Sequence, residues 1–345
     1  MPGVIATTDL NESDNMPAAK SAKLARSWKK PEMLKYAPTR DGYGKALLDL
    51  GASRDDVYVL CADLSESTRS HWFKEKYPDR FVQMGVSEQS LAAVAAGMAL
   101  AGKTVFIASY AAFSPGRNWE QIRTTGCLQR TNLKIVGAHA GVSVGPDGAT
   151  HQMLEDIALM RVLPEMKVLA PCDAIEARKA TIAAAQMKGP VYIRYAREKS
   201  PIFTTKTTPF KPGKALVMRR GKDVALIGCG PLVHECLLAA EELAGLGIEA
   251  RVINNASIKP MDEKTILAAA RECGAIVTVE EAQAAAGMGG AVCELVCEAY
   301  PVPVERIGMQ DRFGESGEPN QLLKHFNLTA PSIVKAAKRV IKKKR

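Results

Sequence analysis

Apolar residues along this chain cluster in short runs rich in β-branched and aromatic side chains: VYVLCAD (57–63), FVQMG (81–85), TVFIASY (104–110), LKIVGAHA (133–140), KVLAP (167–171) and VYIRYAR (191–197). Longer stretches with helical spacing separate them. Strand-like runs alternating with helices predict a mostly parallel sheet with helices on both faces. The pattern stops at SPIFTTKTTPFKPGK (200–214), where Thr, Pro and Lys replace any period, and this segment reads as a linker. A second series then begins with DVALIGCG (223–230), a helix to about residue 246, EARVINN (249–255), AIVTVE (275–280), a helix over 288–299, VERIGM (304–309) and a C-terminal helix. The expected fold class is therefore α/β, with two doubly wound, mostly parallel-sheet domains over 36–199 and 215–345. Residues 1–35 have no sustained period and are expected to form a flexible basic arm. No internal repeat or low-complexity block interrupts the pattern.

Composition narrows this picture. A chain of 345 residues, 47% hydrophobic and 24% charged, has the make-up of an ordinary globular protein of two domains. The longest membrane-like run, LAAVAAGMALAG (91–102), is far short of the about 20 residues needed to span a bilayer, so no membrane role is expected. The net charge of +9 would invite a nucleic-acid reading, but residues 1–40 carry +3 and the tail KAAKRVIKKKR (335–345) carries +7. The body between them is close to neutral, and no nucleic-acid partner is expected. The eight cysteines are scattered without CxxC spacing, and no signal peptide is evident. Asp9, Glu12 and Asp14 argue against a transit peptide, leaving the cytoplasm as the expected location.

Active sites in such sheets sit at the carboxyl ends of the strands, and Asp63, Glu88, Phe113, His139 and Arg197 each follow a strand-like run. In MGVSEQS (84–90), Ser87 and Glu88 are good helix-start residues. Glu88 is equally a carboxyl group at the sheet's rim that could share a proton with a nitrogen base. In SYAAFSPGRNWEQIR (109–123), Tyr110, Phe113 and Trp119 could pack on the sheet, or Phe113 could stack a flat heterocycle. Arg117 and Arg123 read as surface charges or phosphate contacts. In AHAGVSVGPDGATHQMLED (138–156), Asp147-Gly148 marks a turn and Thr150 reads as the cap of the following helix, but neither role needs a histidine. His139, Asp147 and His151 around one loop point to function. Metal ligation is disfavoured, because no histidine pair lies at i,i+4 and no cysteine is nearby.

These motifs, in this order and together with YAREKSP (195–201), resemble the second half of transketolase, over residues ~36 to 345. The resemblance implies a thiamine diphosphate pyrimidine-binding domain followed by the transketolase C-terminal domain. It implies that Glu88 hydrogen-bonds the cofactor's aminopyrimidine ring, so that the ring's imino form can remove the thiazolium C2 proton. Phe113 would stack that ring, with Tyr110 and Asp63 beside the cofactor. His139 and His151 would steer and relay protons at the sugar, and Asp147 would bind a sugar hydroxyl. Arg40 (in PTRDGYG), Ser67 (in ADLSEST) and Arg197 would hold the sugar phosphate, where forked charge-assisted bonds suit arginine.

The family holds the cofactor's diphosphate through a divalent cation on a Gly-Asp-Gly motif, and no such triplet occurs here. The resemblance then implies a split enzyme: a separate N-terminal, diphosphate-binding subunit holds most of the Mg²⁺ site, and the chains self-associate as α2β2 with each active site between them. The implied reaction transfers a two-carbon ketol unit between sugar phosphates, and only with that partner. Two departures stand out: fewer clustered aromatics around Phe113, and Ala282-Gln283 after the acidic pair Glu280-Glu281. The C-terminal domain is expected to support dimerisation rather than chemistry. Alternatives are a deoxyxylulose-phosphate synthase, the β subunit of a 2-oxoacid dehydrogenase, or a non-catalytic subunit of the same fold.

Overall fold

The computed structural model of the chain describes residues 22–344. The first unit contains strands β1 (Tyr36–Ala37), β2 (Val57–Cys61), β3 (Phe81–Gln83), β4 (Thr104–Tyr110), β5 (Leu133–Ala138), β6 (Lys167–Leu169), β7 (Val191–Arg194) and β8 (Ser200–Pro201). Every residue of β5 and β7, and all of β4 except Tyr110, is buried. Strands covered by helices on both faces need apolar side chains on both, which is why the sequence reads as continuous apolar runs. The remainder contains β9 (Leu216–Arg219), β10 (Val224–Gly228), β11 (Ala250–Asn254), β12 (Ser257–Lys259), β13 (Ile276–Gln283) and β14 (Val304–Met309).

A seven-stranded sheet runs in the order β12-β6-β7-β5-β4-β2-β3, and a five-stranded sheet in the order β14-β13-β10-β11-β9. Strands β2 to β7 of the large sheet are parallel to their neighbours, as are β10, β11, β13 and β14 in the small one. β12 and β9 are antiparallel edges. The two doubly wound sheets agree with the expected class. β12 was not legible in the sequence, and it crosses the expected boundary: it belongs to the chain beyond the linker, yet it pairs with β6. Lys259 secures it by donating to the carbonyls of Arg161 at 2.9 Å and Leu163 at 2.6 Å. One apolar cluster accordingly contains Leu60, Ile107 and Ile135 from the first unit and Ile227, Ile258 and Ile276 from the second.

The linker and the described part of the arm are more ordered than the sequence suggests, and the basic tail is largely helical. In the linker, Phe203 is fully buried, and Asp173 Oδ2 accepts the backbone N–H groups of Phe203 at 3.1 Å and Thr204 at 2.7 Å. Asp173 Oδ1 caps the helix Ala174–Gln186 through Ile175 and Glu176, so one carboxylate both starts a helix and pins the linker. The described part of the arm, 22–35, lies along the second unit. Ala22 donates to Val217 O at 3.1 Å, Ala25 donates to Phe203 O at 2.9 Å, and Lys29 pairs with Glu241 at 2.6 Å. Residues 1–21 of that expected arm lie outside the described residues. Most of the basic tail is an amphipathic helix, Ala330–Ile341: Ile333, Val334, Ala336, Ala337 and Val340 are buried, and Arg339 pairs with Glu305. This is the C-terminal helix that the sequence pattern predicts, with its apolar stripe buried and its charges on the exposed face.

The helix Thr39–Ser53 packs against Ala174–Gln186 at Gly42, where a Cβ would stand 2.3 Å from the Ala174 carbonyl oxygen. Alanine there would gain about 1 kcal/mol of helix propensity. It would also force two helices apart against a backbone atom that cannot swing aside, at a cost of about 1–3 kcal/mol. Gly42→Ala should therefore lower the urea midpoint of unfolding, and an unchanged or raised midpoint would refute this account of the crossing.

Candidate active site

The loops leaving β2, β3, β4, β5 and β7 carry all but one of the candidate side chains to one edge of the large sheet, and Arg40, in the first turn of the helix Thr39–Ser53, joins them. Five parallel neighbours must release their loops at the same edge, and that is why residues far apart in sequence meet here.

Glu88 opens the helix Glu88–Leu100 and is 1% exposed. Its Oε2 takes an ion pair from Arg117 Nη1 at 2.7 Å, and its Oε1 lies 3.5 Å from the Ser109 hydroxyl. Asn118 Nδ2, itself buried, donates to the Glu88 carbonyl at 2.9 Å. Ser87 occupies the cap position, but its hydroxyl donates to Met84 O at 2.7 Å instead of accepting from the helix, so the expected side-chain cap is not made. Arg117 is half exposed, and the structure gives it a contact that neither sequence alternative named. It binds Glu88 and lies over the Phe113 ring at 4.9 Å. Arg123 is exposed and takes no part.

Four rings cluster at the same edge of the sheet, and Arg117 joins one of them, Phe113, to this carboxylate. Tyr110 and Phe113 are parallel within 4°, with centroids 5.9 Å apart, and His151 meets both edge-on at 6.0 and 5.4 Å. The His139 ring lies 4.0 Å from that of Tyr110. Trp119 is a packing residue, its indole N–H donating to Leu159 O at 2.8 Å. Tyr110 reaches across to β2's loop, where its hydroxyl donates to Ser67 Oγ at 3.3 Å.

His139 is fully buried and has a φ of +59°, a conformation imposed where the chain leaves β5. Its Nε2 stands 2.7 Å from Arg40 Nη1 and 3.2 Å from Ser67 O, while Arg40 Nη1 also donates to Ser67 O at 2.6 Å. The assignment that gives each of these donors an acceptor leaves Nε2 unprotonated and places the proton on Nδ1. That Nδ1 has no partner, and neither does the buried Arg40 Nε. Two buried donors without acceptors mark a site shaped for an acceptor-rich ligand. Burial, reinforced by Arg40 and Arg197, drives the His139 pKa down to about 3, so the ring is neutral at physiological pH. Burial, with Arg69 adding to it, also lowers that of Arg40.

Asp147 and Arg197 pair with each other: Arg197 Nη1 is 2.9 Å from Asp147 Oδ1 and donates to Val144 O at the same distance. Thr150 does not cap a helix. The next helix starts only at Asp156, and the Thr150 hydroxyl bonds His151 Nδ1 at 2.9 Å. The start is delayed because the Gln152 side-chain amide donates to Val142 O and Gly145 O, at 3.1 and 3.2 Å, and folds the segment into a loop. Asp63 is exposed at φ +56°, and its N–H donates to Gln83 Oε1 at 2.9 Å. No hydrogen bond or ring contact joins it to the other candidates.

Sequence reading did not identify Ser109, Asn118, Asp156, Arg194 or Glu281 as part of this region. Asn118 and Ser109 had no local signal, since both act through Glu88 across a long chain separation. Among the described residues, no group of three or more His, Cys, Asp or Glu side chains is placed to hold a metal ion, and no helix is long and apolar enough to cross a membrane.

Residues 35–201 match the family model of the transketolase pyrimidine-binding domain, and residues 213–333 match that of the transketolase C-terminal domain. The chain is 39% identical to the 6-deoxy-6-sulfo-D-fructose transketolase subunit SqwH of Clostridium sp. (strain MSTE9), over 88% of this chain and 95% of that one. It is 38% identical to the transketolase of Mus musculus over 88% of its length, and spans 49% of that protein. A solved structure described as a split gene transketolase, inactive beta4 tetramer, superposes with a TM-score of 0.84 at 43% identity, covering 89% of this chain and 99% of the other.

The neutral state of His139 has a measurable consequence. In the unfolded chain its imidazole binds a proton below about pH 6.5, whereas in the folded protein it does so only near pH 3. The stability linked to it is therefore complete above pH 6.5 and is lost as the pH falls toward 3, at up to about 1.4 kcal/mol per pH unit. His139→Asn, which tolerates the left-handed backbone, should flatten the acid side of the stability profile by about that slope. Parallel acid limbs in urea titrations of the two proteins would contradict the assignment.

Proposed function

The chain belongs to the transketolase family, and from that premise we propose that it is the pyrimidine-side subunit of a split, thiamine diphosphate-dependent transketolase acting on sugar phosphates. The observation that carries this reading is the buried Glu88 carboxylate joined through Arg117 to Phe113, whose ring lies parallel to that of Tyr110.

The family is thiamine diphosphate-dependent, and the residues present fit one end of that cofactor. A flat aminopyrimidine needs an apolar aromatic wall and a carboxyl group to bind its ring nitrogen, and Phe113, Tyr110 and Glu88 supply these. Thiamine diphosphate, when bound, supplies the nucleophilic carbon and the electron sink for making and breaking a carbon–carbon bond next to a carbonyl. With Glu88 Oε2 held by Arg117, Oε1 is the oxygen available to the ring nitrogen. The neutral His139 offers its unpartnered Nδ1–H to a sugar oxygen. His151 is the more exposed imidazole and serves as the proton relay. Asp147 accepts from a sugar hydroxyl, while Arg40, Arg197 and Ser67 bind the phosphate. Asp63 would stand near the cofactor on the family resemblance alone, since no bond joins it to the other candidates. The relative named for a sulfo-sugar supports a site that grips an anionic group on the sugar.

The diphosphate and Mg²⁺ are assigned to a separate N-terminal transketolase subunit, because the sequence has no Gly-Asp-Gly. The working enzyme would be an α2β2 assembly with each active site between chains. The relative solved as an inactive β4 tetramer supports a β chain that assembles with itself and needs something further for activity. Eight free cysteines fit a reducing cytoplasm.

Co-purified with its N-terminal subunit, the chain should convert xylulose 5-phosphate and ribose 5-phosphate to sedoheptulose 7-phosphate. It should also take up thiamine diphosphate with Mg²⁺ far more tightly than when purified alone. Glu88→Gln should lower kcat by about 10²–10⁴-fold, the usual contribution of a positioned acid or base, without changing the unfolding midpoint much. Turnover of pyruvate alone, or full activity in Glu88→Gln, would overturn the reading.

A further inference from the structure

Between His139 and His151 the chain lacks regular structure of its own. Residues 142–147 form a short 3-10 segment broken at Gly145, whose φ is +84°. Its shape is imposed from outside, and most of the imposing atoms come from the second domain. Glu281, at the end of β13, directs Oε1 at the backbone N–H of Ser143, 2.6 Å away. Gly141 is so close that a Cβ built there would lie 2.4 Å from the same oxygen, and its φ of +95° admits little but glycine. Gln152, which gathers Val142 O and Gly145 O, also donates to Glu315 O at 2.8 Å. Gly148 rests on Ser316 and Gly145 on Pro319, and the helix Pro319–His325 packs along the segment. Gln283 donates its N–H to Leu154 O at 2.9 Å, closing the far end. Val142 and Leu154 are part of the second domain's own apolar core.

At its near end the same segment delivers Asp147 to Arg197, and Arg197 also holds Val144 O. A displaced Ser143 would shift Val144 and with it the turn that presents Asp147. On the sugar-phosphate reading of the site, on which this rests, we propose that the second domain is the template for the substrate loop, with Glu281 as its positioning residue. The domain then governs how sugar hydroxyls are met, without touching the sugar. Glu281 is 3% exposed, and burial raises its pKa, a rise moderated by Arg194 and the Ser143 N–H. Its carboxyl oxygen accepts from Ser143 whether or not it is ionised, so an amide oxygen can substitute for it.

The test uses the full chain with its co-purified N-terminal subunit, comparing wild type with Glu281→Ala and Glu281→Gln. Glu281→Ala leaves a buried N–H unpaired and should lower kcat/KM for xylulose 5-phosphate about 10-fold or more. C2 proton exchange of bound thiamine diphosphate, which depends on Glu88, should stay near wild type. Amide exchange in 141–148 should rise in the same variant. Glu281→Gln should restore both the kinetics and the protection. Should Glu281→Ala fail to fold, Glu281→Asp, with the carboxylate drawn back by one methylene, should show the same split. Unchanged loop exchange, unchanged sugar kinetics, or a parallel fall in C2 exchange would overturn the proposal. If the wild-type complex did not turn over xylulose 5-phosphate, the reading of the function would fail instead. The amide-exchange comparison would still decide whether Glu281 holds the loop.

Discussion

A guanidinium group buried between two domains has to be matched on every side, and Arg194 is the one that holds this molecule's working edge together. At 7% exposure it donates Nε to Asp156 Oδ2 at 2.8 Å and Nη2 to the Glu281 carbonyl at 2.7 Å, while Tyr192 donates its hydroxyl to the same Asp156 oxygen. Water cannot replace any of these partners. Losing one from a buried pair costs about 3–5 kcal/mol, because the remaining charge is stranded. Strand β7, the helix Asp156–Arg161 and strand β13 are therefore held in one relative position, and the segment from His139 to Asp156 is suspended between them. Such a charge need not add net stability over an apolar filling. Its effect is to favour the one arrangement in which the guanidinium and Asp156 Oδ2 find these partners.

Within that frame two of the candidate carboxylates are already paired with arginines. Glu88 is held by Arg117, and Asp147 by Arg197. His139 differs: burial, reinforced by three nearby arginines, keeps it neutral, and its buried Nδ1 has no acceptor. A ligand that brought oxygen and nitrogen acceptors would complete this set, and one that brought a cation would be opposed by Arg40, Arg117 and Arg197.

The sheet strands were legible because strands covered on both faces must be apolar throughout, so their runs stand out against amphipathic helices. The strand-to-loop junctions carrying Glu88, Phe113 and His139 were legible for the same reason. Strand β12 was not, since three residues, SIK, carry no period, and their partner β6 lies about ninety residues earlier. Asn118 and Glu281 were invisible because each acts through a contact that only the folded topology creates. Thr150 was misread because a cap signal is local, while the Gln152 amide that undoes it bonds three separate carbonyls. The docking of residues 22–35 was hidden because that stretch has no period to read, and the contact of Trp28 with the second unit's apolar cluster exists only in the folded chain.

The β12–β6 pairing also bears on how a gene for such a protein could be divided. A break inserted in the 202–212 stretch would leave β6 as a bare edge and open the apolar layer around Ile258, so neither fragment would be a self-sufficient body. The two α/β units are thus joined by a shared sheet edge and a shared apolar layer as well as by the chain, and either one taken alone would expose surface that the other now covers.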